Sequence, residues 1–222
     1  MNDRRDLRVT GRGTLRLTPD CTRISIDLTG LDKDYGEALR RSAEETETLA
    51  GVLGGFGFAR TDLKTLSFSV DTEHESYQDK NGMWQQRFAG YRFRHMLKVE
   101  FPSDNERLGK VLYALANCPV DPEFRLSWFV RDREGAANAL LGKAVADAKE
   151  KAAVLAEAAG VRLGDVQSID YSWGELDLTV RPMAEMRLAK NTMADAAGSY
   201  DLDIAPDDIE ISDTVTVVWA IA

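Results

Sequence analysis

The sequence predicts an α+β fold: an antiparallel sheet with helices on one face, built as a ferredoxin-like βαββαβ unit and extended by a long helix and additional strands. Three observations carry this. Apolar and polar residues alternate in short runs, as in Ile24, Ile26 and Leu28 set between Arg23, Ser25 and Asp27, the pattern of half-buried antiparallel strands. Between these runs lie stretches with apolar residues three and four apart, the helical period. From Cys21 to Val130 the two signals follow one another as β-α-β-β-α-β.

Each element has its own signal. Leu7, Val9, Leu15 and Leu17 alternate with Arg8, Thr10, Arg12, Thr14 and Arg16 to give a first strand. Gly11 and Gly13 fall on its apolar side, which predicts a bulge or a close approach by a neighbouring element. Pro19-Asp20 turns the chain into the Ile24–Leu28 strand. A helix is predicted from about Lys33 to Leu53, with Asp32 as N-cap and Tyr35, Leu39, Ser42, Thr46, Leu49 and Leu53 as its stripe; Gly54-Gly55 ends it. A third strand turns Leu66, Phe68 and Val70 one way, and Asp79-Lys80-Asn81-Gly82 is a strong hairpin signal. The return strand puts Tyr91, Phe93, Leu97, Val99 and Phe101 inside and Arg92, Arg94, Lys98 and Glu100 outside.

Ser103 and Glu106 have capping-box spacing and open a short helix with Leu108, Val111, Leu112 and Leu115 inward. After Pro119 and Pro122, Phe124, Leu126, Trp128 and Val130 alternate with Glu123, Arg125 and Ser127. The longest helical signal follows, from Glu134 to Gly160. Ala137, Leu141, Ala144, Ala148, Ala152, Leu155 and Ala159 share one face, and Gly160 is placed for a left-handed C-terminal cap. The alanine face lets this helix lie very close to whatever it covers, and Val154 falls away from it. Val166–Tyr171 reads as a short strand, and Ile209–Ile221 as a confident last one with Val215, Val217, Trp219 and Ile221 on one face. The stretch 172–205 loses periodicity and reads as an irregular excursion or arm. No linker composition divides the chain, so residues 1–222 read as one domain with a core of 7–171 and 206–222.

Composition narrows the function classes. A net charge of −9 argues against a protein whose main task is gripping duplex nucleic acid. No run approaches the roughly 18 apolar residues of a membrane-spanning helix. The opening MNDRRDLRVTGRG has basic residues without an apolar stretch behind them, so no secretory signal is expected and a cytoplasmic location is. Cys21 and Cys118 fit no metal spacing and read as buried free thiols.

An ordered set of short motifs now carries a resemblance. Val9-Thr10-Gly11-x-Gly13 with Pro19-Asp20, then Thr61-Asp62-Leu63-x-Thr65, Gly90-Tyr91-x-Phe93, the stretch Ala144–Gly164 and a last strand led in by Pro206 together resemble the SIMPL-domain family. This is a bacterial group of unknown function that shares its name with a kinase-interacting adaptor. The resemblance spans nearly the whole chain. It implies an α/β fold, self-assembly and no established catalytic residues. It also implies that many relatives are exported to the cell envelope, from which the opening residues of this chain depart.

Weighing the chemistry-bearing residues gives no catalytic set, cofactor site or metal site. His95 falls on the apolar side of its strand and reads as a satisfied core histidine. Asp71, Glu73, His74 and Glu75 offer cation ligands or a solvated acidic hairpin; Asp201, Asp203, Asp207, Asp208 and Glu210 offer oxygens without the calcium-loop order. The arginine pattern is less bland. Arg8, Arg12, Arg16, Arg23, Arg92, Arg94 and Arg125, with Lys98, all lie on polar sides of strands, so a shared sheet would have a basic open face. Three readings stay open for it: cross-strand ion pairs, a self-association surface, or single-stranded RNA binding, for which Phe129 alone stands as an outward stacking candidate. The expectation is a non-enzymatic, SIMPL-like homo-oligomer or protein-interaction module acting through those arginines and through Met183, Met186 and Met193 of the excursion, whose side chains suit adaptable contacts. The alternative is a small-molecule or metal-ion binding protein that uses its acidic loops.

Overall fold

The computed structural model describes residues 5–171, 178–180 and 204–222. The elements are β1 (Asp6–Leu17), β2 (Cys21–Asp32), α1 (Tyr35–Gly54), a 3-10 turn (Arg60–Asp62), β3 (Lys64–Gln78), β4 (Trp84–Pro102), α2 (Asn105–Ala116), β5 (Glu123–Phe129), α3 (Arg133–Ala158), β6 (Leu163–Asp170), β7 (Thr179–Val180) and β8 (Ile209–Ile221). They fall into two compact units interleaved along the chain. The first takes Met1–Pro19, Phe129–Val180 and Asp207–Ala222, and the second Asp20–Trp128 with Arg181–Pro206. Residues 7–171 and 206–222, read from the sequence as one core, are therefore shared between both units. Met183, Met186 and Met193 lie outside the described residues.

In the first unit an antiparallel sheet runs β1-β8-β6. β1 pairs with β8 in unbroken register from Asp6 opposite Ala220 to Leu17 opposite Ile209. Val9, Val215, Val217 and Trp219 pack on Ala144, Ala148 and Ala152 of α3. The glycines of β1 make a close approach and no bulge. A Cβ on Gly11 would overlap the Ala144 carbonyl oxygen and the Ala148 amide, and one on Gly13 would overlap the Leu140 carbonyl oxygen. Two polar ties reinforce this contact. The Arg12 amide donates to the Asp147 carboxylate at 2.7 Å, and Lys143 Nζ donates to the Thr14 carbonyl at 3.3 Å.

The buried stripe of α3 is Ala136, Ala137, Leu140, Ala144, Ala148, Ala152 and Ala156. Leu140 and Ala156 hold places the sequence pattern gives to Leu141 and Leu155. A seam one methyl deep accepts Ala156 and leaves Leu155 half exposed. The helix starts one residue earlier than expected, because the Asp132 carboxylate accepts from the Gly135 amide and caps it. Its end follows the glycine rule: Gly160 has φ +68°, its amide donates to Glu157 and the Val161 amide to Ala156, a Schellman closure.

In the second unit the strands lie in the order β3-β4-β2-β5, with β4 antiparallel to both β2 and β3. One core gathers Ile24, Ile26 and Leu28 of β2, Phe93, Leu97, Val99 and Phe101 of β4, Leu49 and Leu53 of α1, and Leu108, Val111, Leu112 and Leu115 of α2. Both helices thus bury their stripes against the same sheet face. Two cap expectations are corrected, and β3 departs from simple alternation. Asp34, not Asp32, caps α1, its carboxylate accepting from the Gly36 and Glu37 amides, because Asp32 is still paired in β2. Asp104, not Ser103, caps α2, because the Ser103 amide is donated to the Asp20 carbonyl at the sheet end. Leu66 and Phe68 are half exposed, because β3 is an edge strand and a register shift between Thr65 and Ser67 takes Leu66 out of step.

The close approach yields a paired test. Gly11→Ala should lower the unfolding free energy by about 3 kcal/mol or more, beyond ordinary overpacking because backbone atoms must move. Gly142→Ala, on the open side of α3 with nothing within 4 Å of its added methyl, should raise it by about 0.5–1 kcal/mol. Urea unfolding of the two variants measures both, and a tolerated Gly11→Ala would contradict the packing.

Candidate functional site

The arginines singled out by the sequence do not share one sheet. Arg8, Arg12 and Arg16 stand on β1 in the first unit, while Arg23, Arg92, Arg94 and Arg125 stand on β2, β4 and β5 in the second. On β1, Arg8 meets Asp170 at 3.3 Å, Arg16 meets Asp208 at 2.8 Å, and Arg12 donates to the Ser212 hydroxyl at 2.9 Å. The Asp208 carboxylate also accepts from Thr18, so this part of the acidic run closes a sheet end.

On the open face of the second sheet the cations are compensated across strands. Arg23 and Lys98 both reach Glu100, at 2.6 and 2.7 Å. Burial by itself would raise the Glu100 carboxyl, but its hydrogen bonds from Lys98 and Arg23 outweigh burial and hold it below the usual carboxylate range. Arg92 grips Glu73 with two donors, at 2.8 and 3.0 Å, and that hydrogen bonding likewise lowers the Glu73 carboxyl. Arg125 reaches Asp27 at 3.1 Å. Arg94 differs: among the described residues no carboxylate lies within ion-pairing distance of it. It borders a concavity of about 400 Å³ lined also by Asp27, Thr29, Ser67, Ser69, Met96 and Arg125. Phe129, the expected stacking residue, is buried.

The acidic hairpin is tied up in the same manner. Glu75 accepts from Arg87 at 2.6 Å while Arg92 holds Glu73, and among the described residues no three His, Cys, Asp or Glu side chains converge as metal ligands would. Asp201 and Asp203 lie outside the described residues.

The sequence reading missed the reach of the hairpin. β2 pairs with β4 only as far as Asp32 opposite Tyr91, whereas β3 and β4 stay paired to Gln78 opposite Trp84. Beyond Gly90 the two strands form a ribbon with no third strand beside it among the described residues. At its root the register shifts between Glu73 and His74, which leaves Ala89 bulged and its carbonyl bonded by Lys33 Nζ at 2.7 Å. Gly90, at φ +151°, lies where any Cβ would press on the Asp32 carbonyl. At the tip the Asp79 carboxylate accepts from the Asn81 and Met83 amides and Gly82 takes φ +77°, as the hairpin signal requires. Trp84 is 71% and Met83 61% exposed there, and Phe88 and Tyr77 are partly exposed along the ribbon. The available signal was length: 20 residues alternate weakly around the Asp79–Gly82 turn, more than a sheet of 12-residue strands needs.

His95 lies inside the second unit as expected, held wholly by hydroxyls. Thr46 Oγ1 donates to the Ser42 carbonyl, so at 3.1 Å it accepts from His95 Nδ1–H, and Nε2 then accepts from Thr65 Oγ1 at 2.9 Å. Among the described residues no carboxylate bonds the ring to orient it for base catalysis. Burial first, then the nearby Arg60 charge, push its pKa below the ordinary 6.5. The folded chain therefore prefers neutral His95 and the unfolded chain protonates more readily. Stability should be complete above pH 6.5 and fall as the pH drops from there toward the lowered folded value. Urea unfolding between pH 7.5 and 5 should show this slope, and His95→Gln should flatten it.

The chain is similar to known proteins over nearly its whole length. The 26 kDa periplasmic immunogenic protein of Brucella melitensis biotype 1 is 27% identical over 213 residues, covering 96% of this chain and 83% of that protein. The protein of the same name from Brucella abortus strain S19 matches to the same extent. The family model for SIMPL, described as a protein of unknown function, matches residues 7–219. The chain belongs to the SIMPL family.

Proposed function

We propose that this protein is a non-enzymatic, self-assembling component of the bacterial cell envelope, and that the β3–β4 ribbon joins its copies. The ribbon carries the reading. A two-stranded hairpin is marginal in water without a third strand or a packed face, yet this one holds Trp84 and Met83 in solvent at its tip. The outer edge of β3 ends the strand order of its sheet, which leaves a row of backbone donors and acceptors for pairing. A second ribbon of the same kind offers matching apolar side chains and a matching edge.

The absence of catalysis is inferred from chemistry. Among the described residues His95 has no acidic orienting partner, Cys21 and Cys118 are buried, and Glu73, Glu100 and Asp27 of the open face are held by arginine or lysine. The envelope location replaces the cytoplasmic expectation and rests on the two Brucella relatives, both named as periplasmic. No helix among the described residues is long and apolar enough to cross a membrane.

Sedimentation at physiological salt should reveal a defined oligomer. Trp84→Ser combined with Met83→Ser should weaken it by roughly tenfold or more, as removal of a central apolar anchor does. A strict monomer at high concentration would overturn the assembly. Fractionation of cells expressing the full-length gene tests location separately, with recovery in the periplasmic fraction expected.

A further inference from the structure

We propose that the concavity on the open face of the second sheet binds a small oxyanion, a carboxylate or phosphate carried by a low-molecular-weight molecule, with the Arg94 guanidinium as its main contact. The register sets up the site. Arg94 stands on β4 directly between Thr29 of β2 and Ser69 of β3, and one rung along Met96 stands between Asp27 and Ser67. The other arginines of this face, and Lys98, each have a carboxylate directly bonded, Arg23 and Lys98 on Glu100, Arg92 on Glu73 and Arg125 on Asp27, while Lys64 stands opposite Lys98 at the far end of β3, away from the concavity. Arg94 alone, among the described residues, has hydroxyls across from it on both sides.

The surroundings select the ligand's size and charge. The Ser69 hydroxyl donates to Asp71 at 3.0 Å, so its proton is committed. The hydroxyls of Thr29 and Ser67 supply the neutral donors, and the guanidinium supplies a planar fork that matches two oxygens of a carboxylate or phosphate. Glu123 and Asp27 line the opposite part of the concavity, and Asp27 is neutralised by Arg125. Their negative charge disfavours an extended polyanion and confines the ligand's anionic group to the Arg94 side. Met96 offers an apolar wall for its carbon skeleton.

Titration calorimetry and thermal melting of the full chain, at constant ionic strength, test the site with sodium phosphate in one arm and sodium succinate in the other. Saturable binding at roughly millimolar or tighter affinity is expected, with the stronger arm showing whether phosphate or carboxylate is preferred. Arg94→Gln should weaken binding at least tenfold, Arg94→Lys should retain part of it because it keeps the charge and loses the fork, and Lys149→Gln, the same charge change on exposed α3, should leave it unaltered. A linear, unsaturable response, or equal binding by Arg94→Gln and the parent, overturns the proposal. So does a parent that ignores both anions while Arg94→Gln loses its oligomer, since Arg94 would then be an intersubunit contact.

Discussion

The first unit depends on a contact that admits no side chain larger than a methyl group. Gly11 and Gly13 on β1 face the backbone of α3 at Leu140, Ala144 and Ala148, so the helix axis is drawn against the strand. Burying alanines removes little apolar area, about 0.8 kcal/mol per methyl, and so dispersion at short range and backbone ties carry more of the stabilisation here than in a leucine-packed layer. Asp147 illustrates the coupling. Its carboxylate accepts from Lys151 and from the Arg12 amide, the Lys151 bond being the stronger influence in holding it below the usual carboxylate range. One side chain thereby joins helix, strand and surface charge, and it caps an amide of β1 that would otherwise be open to strand pairing.

What could be read in advance followed from where the chain faces a packed layer. The alternation of β2 and β4 and the stripe of α2 are imposed by one shared core, and they were legible because burial on a single face forces a single period. The glycine pair of β1 and the alanine face of α3 were both visible, but not that each explains the other, since only the third dimension brings residues 11–13 against 140–148. Helix starts were missed by one or two residues at Asp34, Asp104 and Asp132 because neighbouring acidic or hydroxyl residues compete for the same cap, and the winner depends on which one the sheet already occupies. For β3 the alternation showed only that Leu66, Phe68 and Val70 share a direction; how far an edge strand is covered is not in the pattern, and Leu66 and Phe68 are half exposed.

The candidate site was legible only by residue type. The arginines stand on the polar sides of their strands, yet summing them into one basic face assumed one sheet, and the units divide them. Their carboxylate partners come from far along the chain, as with Glu73 for Arg92, 19 positions away, and Asp170 for Arg8, 162 positions away, distances at which no local pattern pairs charges. Exposed pairs of this kind contribute little to stability, typically 0–1 kcal/mol. They neutralise the neighbouring guanidinium groups and leave Arg94, among the described residues, as the arginine of the second unit's open face without a bonded carboxylate.

The two units treat their sheet edges in opposite ways, and that contrast bears on function. β1 is an edge strand closed by α3 through Asp147 and Lys143. β3 is an edge strand with no such cover among the described residues, and it runs on with β4 into a ribbon whose root is fixed by Gly90, bulged Ala89 and Lys33. A bulge and a glycine placed where the third strand ends aim the ribbon as well as release it. Exposed tryptophan and methionine at the tip of an aimed ribbon are an aggregation liability unless something covers them in the working state. The open face behind the ribbon is polar, charge-compensated and concave, which suits a small ligand better than a broad protein surface. The proposed assembly through the ribbon and the proposed recognition at Arg94 would therefore make separate demands on the same sheet, since the exposed apolar tip and the polar concavity share no residue.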